Sequence, residues 1–391
     1  QRPCRNDPAA TAPRLHEYSP MSQLFRPIRL RDLHLVNRLM VSPMCQYSAV
    51  DGAMQEWHRV HLATMALSGA SLVMVEATSP TAQGRITPGC TGLWDDRTEA
   101  AMASVLQSVR AVSGAAVGLQ IGHAGRKGSS ARPWEGGQQM PLDQGGWPTI
   151  APSPLAHLND EAPPSEITPE DLPALGAAFV QAVERAARIG FDALELHAAH
   201  GYLLHQFLSP IANQRGDDYG GSAENRMRFP LQLFSAMRAA WPAHKPMGIR
   251  ISATDWVEGS GWDLQAACVF ARRLERLGAD WIDVSSGGVS RSQQIPLGPG
   301  YQVPLAQAVK ASVGIPVIAV GLITEAQQAE AILAQGHADL VALARGFLWD
   351  PRWGWRAAAQ LGACVAAPRQ YWRANPPGFK EVFGATRFGA R

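Results

Sequence analysis

The sequence predicts a single (β/α)8 (TIM) barrel, and three observations carry that prediction. Eight short apolar runs, each reading as a strand buried on both faces, alternate with longer segments of helical spacing. Four of the joints between them, at Gly69, Gly190, Gly278 and Gly336, share one grammar: helix end, glycine, a small or polar residue, strand. The residues that carry chemistry gather at the carboxyl ends of the runs, where barrels place their sites. Alternation of this kind implies a parallel sheet, and eight units in regular order imply closure rather than an open sheet.

Taken in order, residues 1–20 are polar, with scattered Pro and Arg and no apolar core of a secretory signal, and Asp7 and Glu17 argue against a transit segment. They read as a disordered extension outside the fold. The barrel unit is 21–391, with a C-terminal tail from about residue 363. Residues 24–39 read as a small N-terminal hairpin. Strands are expected at 39–44, 71–78, 115–122, 192–199, 246–252, 281–287, 316–321 and 340–345, with helices over 172–189, 226–241, 264–277 and 325–335. One connection breaks the rhythm. The long loop after the third strand, 124–169, runs through Gly, Pro and Trp with little periodicity, and connections that long are typically lids or binding loops. It reads as a cap over the barrel mouth, with Trp134 and Trp147 needing something to pack on.

The totals set bounds. A 46% hydrophobic fraction supports a large core. A net charge of +2 over 391 residues gives no footprint for nucleic acid or an anionic membrane, and no apolar run is long enough to span a bilayer. Five scattered cysteines show neither a disulfide framework nor zinc spacing, which points to a reducing, cytoplasmic compartment.

The strand ends supply Ser42, Pro43, Met44 and Cys45, then Ala77, Gln120, His197 and His200, Arg250, Ser286, Gly321, Ala344 and Arg345. Two arginines ending apolar strands call for an anionic or strongly accepting partner, since an uncompensated buried guanidinium is costly; ion pairs with Glu76 or Glu195 are the alternative. Gly321, Ala344 and Arg345 end the seventh and eighth strands, where barrels commonly hold a phosphate. None of the four lysines, Lys127, Lys245, Lys310 and Lys380, ends a strand, so Schiff-base chemistry lacks a nucleophile. No row of inward carboxylates suggests a metal hydrolase. A histidine metal site would need His123 beside His197 and His200, and no metal is expected. What remains is a phosphate anchor, amide and guanidinium donors, a thiol, two imidazoles and the phenol of Tyr202. Gln120 both donates and accepts, suiting a heteroaromatic imide edge, and Arg250 suits negative charge developing on the ring. That set fits flavin mononucleotide, FMN, which carries the redox chemistry while the protein positions it.

Several motifs carry a resemblance across nearly the whole chain: Ser42-Pro-Met-Cys-Gln-Tyr47, Val75-Glu-Ala-Thr78, Gln120-Ile-Gly-His-Ala-Gly-Arg126, the stretch from His197 through Tyr202 to Pro210, Asn213 to Arg226, and Ala344-Arg345. In this order they resemble the old yellow enzyme family of flavin-dependent ene-reductases, in particular the bacterial branch with xenobiotic reductase A and its thermophilic-type relatives. The resemblance implies that Ser42, Pro43, Met44, Cys45, Ala77, Gln120, Arg250, Gly321, Ala344 and Arg345 hold tightly bound, non-covalent FMN, with Cys45 tuning its potential. It implies that His197 and His200 bind the carbonyl oxygen of an α,β-unsaturated substrate, that Tyr202 donates a proton, and that Tyr47 closes the pocket. NADPH would reduce the flavin in the same cavity, and nothing in the sequence resembles a separate dinucleotide-binding loop. In the loop 292–301, Pro296-Leu297-Gly298 stands where some relatives place an indole, which leaves a roomier pocket. The tail around Tyr371 and Trp372 resembles a segment that reaches a neighbouring active site in a homodimer or homotetramer; packing on its own barrel is the alternative. The run from Asn213 to Arg226 reads as structural, with Ser222 capping a helix. Two rival functions remain at this stage: a metal-dependent lyase or hydrolase using the histidines, and a non-catalytic flavin-binding regulatory protein.

Overall fold

The structure is a computed structural model that describes residues 22–379 and 381–386; the extension expected at 1–20 lies outside them. Eight parallel strands close into a barrel. They are β1 (Leu39–Val41), β2 (Leu72–Thr78), β3 (Ala116–Ile121), β4 (Ala193–Ala198), β5 (Met247–Ser252), β6 (Ile282–Ser285), β7 (Val317–Ala319) and β8 (Leu340–Leu343). Neighbours pair in sequence order, and β8 closes on β1 through Val341 opposite Leu39 and Leu343 opposite Val41. An antiparallel hairpin, Ile28–Leu30 with Leu33–Leu35, precedes β1.

Each apolar run forms a strand because both of its faces are covered, one by the barrel interior and one by a helix. The strands are shorter than the apolar runs. At β1 the strand ends at Val41; the Ser42 N–H makes a last bond to the Leu343 carbonyl at 2.9 Å, and Pro43 to Cys45 leave the sheet as a loop at the barrel's mouth. The helix Leu172–Ile189 buries Leu175, Phe179, Ala182, Val183 and Ala186 at helical spacing and ends at Gly190. The four joint glycines take φ of +92°, +94°, +88° and +71°, the left-handed conformation that stops a helix without a Cβ penalty. Ser222 Oγ accepts the Asn225 N–H at 3.2 Å at the start of the helix Ala223–Ala240. In the same run Asn213 Nδ2 donates to the carbonyls of Phe207 and Tyr219, both at 2.8 Å.

The connection after β3 is ordered by short elements. Three single-turn 3-10 helices and a two-residue strand pair, Ile150–Ala151 with Ser165–Glu166, fold it over the mouth. Trp147 packs under Arg85, whose guanidinium lies 5.0 Å from the ring centroid. Trp134 departs from expectation: it meets Tyr47 edge-on but is 67% exposed. Among the described residues no helix is long and apolar enough to cross a membrane.

Candidate active site

β4 and its continuation build the centre. His197 is the last residue but one of the strand, and the chain then turns sharply, with His200 at φ +59° and Gly201 at φ +73°. Residue 201 must be glycine, because a Cβ there would lie 2.0 Å from the Gly288 carbonyl oxygen. The turn brings three rings together: the His197 ring centroid lies 5.1 Å from those of both His200 and Tyr202, each edge-to-face.

Both imidazoles are neutral. Burial first, then the Arg250 charge, holds them well below the ordinary histidine range. His197 Nδ1 accepts the Ala199 N–H at 3.3 Å, so its proton sits on Nε2, free for a ligand. His200 Nε2 lies 2.6 Å from Ser285 Oγ. If Ser285 donates there, His200 Nδ1 keeps the proton and becomes the second donor. Ser286 donates to Gln302 Oε1 at 2.6 Å, and Ser285 Oγ lies 3.4 Å from the same oxygen, the longer of its two contacts. Burial, then Cys45 and Tyr47, raises the Tyr202 phenol well above its ordinary range, so it stands protonated.

Two residues that sequence reasoning did not place in the site hold this geometry. Lys127 Nζ donates to the carbonyls of His200 (2.8 Å) and Gly288 (3.1 Å), pinning the turn, and lies 5.0 Å from the Tyr202 ring centroid. Burial lowers the Lys127 pKa to about 8. Ser285 is the other. Both act across strands, so only adjacency reveals them.

The mouth holds a cavity of about 480 Å³, lined by Tyr47, Lys127, His157, Glu161, Arg291 and Gln293 among others. His197, Tyr202, Ala77 and Cys90 line a smaller space beneath it, and Ile86 borders both. Tyr47 is held at φ +53°, and its carbonyl accepts Arg132 Nε at 3.0 Å. In the loop 292–301, Leu297 is 72% exposed, whereas Gln293 lines the cavity.

The remaining strand-end residues divide. Ser42 is buried with its hydroxyl unpartnered, and Arg250 is buried with Nε lacking a hydrogen bond. Gln120 Oε1 accepts no hydrogen bond among the described residues, its Nε2 being committed to Glu195. An unmet buried polar group costs about 1–3 kcal/mol, so the Ser42 hydroxyl calls for a ligand partner and Gln120 Oε1 offers a free acceptor, as the edge of the FMN ring requires, while Arg250 Nε faces Asp283. Ala77 sits at the register shift between Val75 and Thr78. Pro43 and Met44 follow Ser42 in the loop, and Met44 packs on the core. A hydrogen bond with the Cys90 thiol, then burial, holds Cys45 well above the ordinary thiol range, which suits a neutral ring contact rather than a thiolate nucleophile.

Three expectations change. Arg250 does have a carboxylate partner, but it is Asp283, 3.3 Å away, and neither Glu76 nor Glu195. Arg345 is not buried: it opens the short helix Arg345–Trp349 and is exposed, so the cost of burial is no argument for a ligand there. Gly321, at φ +115°, faces the Gln302 side chain, which a Cβ would meet at 2.6 Å. Trp372 packs against its own barrel's core, with Nε1 donating to the Ala367 carbonyl at 3.1 Å. His123 Nδ1 accepts the Gly125 N–H, and among the described residues no three His, Cys, Asp or Glu side chains converge as a metal site.

Comparison with known proteins agrees with this geometry. Residues 23–363 match the NADH:flavin oxidoreductase / NADH oxidase family. An NADPH dehydrogenase from Geobacillus thermodenitrificans is 41% identical over 352 residues, covering 90% of this chain and 98% of the relative. An NADH:flavin oxidoreductase from Gibberella zeae is 40% identical over 385 residues, covering 94% and 92%. Morphinone reductase superimposes with a TM-score of 0.72 at 28% identity, covering 90% of this chain and 93% of that one. Family, motifs and orphaned ring-binding groups agree on FMN reduced by a nicotinamide dinucleotide. The chain belongs to the NADH:flavin oxidoreductase / NADH oxidase family, as an oxidoreductase of the old yellow enzyme type.

Proposed function

We propose that the protein is an NADPH-dependent ene-reductase that saturates the C=C bond of small α,β-unsaturated carbonyl compounds such as enones, enals and maleimides, with nitro compounds and other xenobiotics as further acceptors. The observation that supports it best is the pair of neutral imidazole donors set edge-to-face beside a protonated buried phenol. FMN, when bound, would supply the hydride chemistry that links NADPH to the alkene's β-carbon. His197 Nε2–H and His200 Nδ1–H hydrogen-bond the carbonyl oxygen and stabilise the negative charge it gains, as an oxyanion hole does. Tyr202 O–H delivers a proton to the α-carbon, so hydride and proton together balance the reduction. Arg250, Gln120 and Ser42 would hold the ring, and Arg345 with Gly321 and Ala344 would hold the phosphate. The 124–169 cap and Tyr47 exclude water.

Exposed Leu348, Trp349, Tyr371 and Phe379 concentrate in the C-terminal segments, which favours a homodimer or homotetramer that covers them and brings Trp372 toward a neighbouring site. The free thiols Cys45, Cys90 and Cys268 favour a reducing, cytoplasmic setting, against which Cys364 stands as a disulfide-bonded cysteine, contrary to the expectation from the sequence. The test is product identification. Incubation with NADPH and 2-cyclohexenone should yield cyclohexanone in step with NADPH consumed; NADPH oxidation with no saturated ketone formed would reject the ene-reductase reading.

A further inference from the structure

Beneath the site the barrel holds a polar layer that the proposed chemistry leaves unused. Glu195 and Asp283 are both 0% exposed, and a carboxyl so buried needs partners. Glu195 has two. Gln120 Nε2 donates to Oε1 at 2.8 Å, and Trp281 Nε1 donates to Oε2 at 3.0 Å. Gln120 and Glu195 stand opposite in register across β3 and β4. The indole fits because residue 248, opposite Glu195 on β5, is glycine; a Cβ there would lie 2.1 Å from the Trp281 ring.

A carboxylate only accepts hydrogen bonds, so it must be met by the amide's NH2 group. Oε1 is then the end of Gln120 left for a ligand, and an acceptor suits the imide N–H of the FMN ring. We propose that Glu195 is a positioning residue for the cofactor: its carboxyl dictates which end of the Gln120 amide meets the FMN ring, so ring binding follows its protonation state.

The inference rests on FMN as the cofactor. The groups facing Glu195 are Gln120 from β3, Arg250 from β5, and Trp281 with Asp283 from β6. Burial, then Asp283, pushes the Glu195 carboxyl up to about 7, against Arg250, Trp281 and Gln120. Above that pH the carboxylate holds Gln120 acceptor-outward. Below it the proton goes to Oε1, because the indole N–H occupies Oε2. It then donates to Gln120 Oε1, the amide turns, and an N–H confronts the imide N–H. FMN binding therefore weakens as pH falls.

Glu195→Gln mimics the low-pH state at every pH, since Trp281 retains the introduced oxygen and the introduced NH2 faces Gln120. The test is release of FMN fluorescence on diluting the holoenzyme, from about pH 5.5 to about pH 8.5. The FMN phosphate titrates near pH 6 as well, so the comparison is between profiles. The wild-type dissociation constant should rise by about tenfold more than that of Gln120→Ala across this range, one hydrogen bond's worth. Glu195→Gln should bind about tenfold more weakly at high pH and follow the Gln120→Ala slope; in the Gln120→Ala background it should add less than about twofold. Parallel wild-type and Gln120→Ala profiles would overturn the proposal. So would a Glu195→Gln effect undiminished by Gln120→Ala. If Glu195→Gln fails to fold by circular dichroism, the Gln120→Ala comparison decides alone. A wild-type protein that holds no FMN would instead overturn the cofactor reading.

Discussion

Replacing His197 with alanine tests the carbonyl clamp, and the structure sets the size of the effect. His197 is 5% exposed and neutral, with Nδ1 tied to the Ala199 N–H, so it offers one Nε2–H donor. Removing it leaves a buried carbonyl oxygen short of a partner, at a cost of about 1–3 kcal/mol. Ligand dissociation constants should therefore rise by about 5- to 150-fold. Asparagine keeps an N–H donor and should recover much of that loss. The assay is a titration of 2-cyclohexenone or a phenol against the oxidised enzyme, read from the flavin absorbance. FMN content should be unchanged, because no flavin-binding role falls on this ring. The depressed imidazole pKa values add a sign. Both rings therefore stay neutral through the ordinary histidine range, so binding of the neutral enone should show no histidine step near pH 6.5. Unchanged affinity in His197→Ala, or a clear inflection near pH 6.5 in enone binding, would refute the reasoning.

The other expected outcomes are more briefly put. Tyr202→Phe should leave NADPH-driven flavin reduction intact but slow alkene reduction by about 10²- to 10⁴-fold, which stopped-flow separates. Cys45→Ser should shift the flavin potential, measured by dye equilibration, while turnover persists; a dead variant that still holds FMN would point to covalent catalysis. Burial raises the Asp255 carboxyl, but the charge and hydrogen bond of His205, with Ser209 and the Trp262 N–H, outweigh it and hold it below its ordinary value. Its stabilisation is therefore present above the unfolded carboxyl pKa and is lost as pH falls through the depressed folded one. Asp255→Asn should cost about 3 kcal/mol or more at neutral pH by denaturant unfolding, because it breaks a buried pair. Light scattering should give a dimer or tetramer mass; a monomer at micromolar concentration would remove the proposed role of the tail.

The barrel was legible because its signals are local. Doubly buried strands such as Leu194 to Ala198 show as apolar runs, and the helix-ending glycines punctuate them. The helix Glu56–Ala66 was less visible, since Trp57 and Val60 stand 56% and 57% exposed and blur its apolar face. The first strand was overrun for a physical reason: the Ser42 N–H still bonds the Leu343 carbonyl at 2.9 Å, but Pro43 has no N–H to donate and the chain leaves the sheet. The site's rings were legible because His197, His200 and Tyr202 fall within one turn of chain. Its supports were not. Asp283 beside Arg250, Ser285 beside His200 and Lys127 beneath the His200 carbonyl meet only across strands, where register rather than sequence spacing sets the contact. Arg345 is exposed rather than buried because the strand stops at Leu343 and a helix begins at Arg345.

The central claim is that one cavity serves both half-reactions through bound FMN. The direct measurement is the visible spectrum of the purified protein, followed anaerobically through addition of NADPH and then 2-cyclohexenone. The account predicts a flavin spectrum that bleaches with NADPH and returns with the enone. A protein that is colourless and cannot be reconstituted with FMN, or a flavin that bleaches and is not reoxidised by the enone, would contradict it.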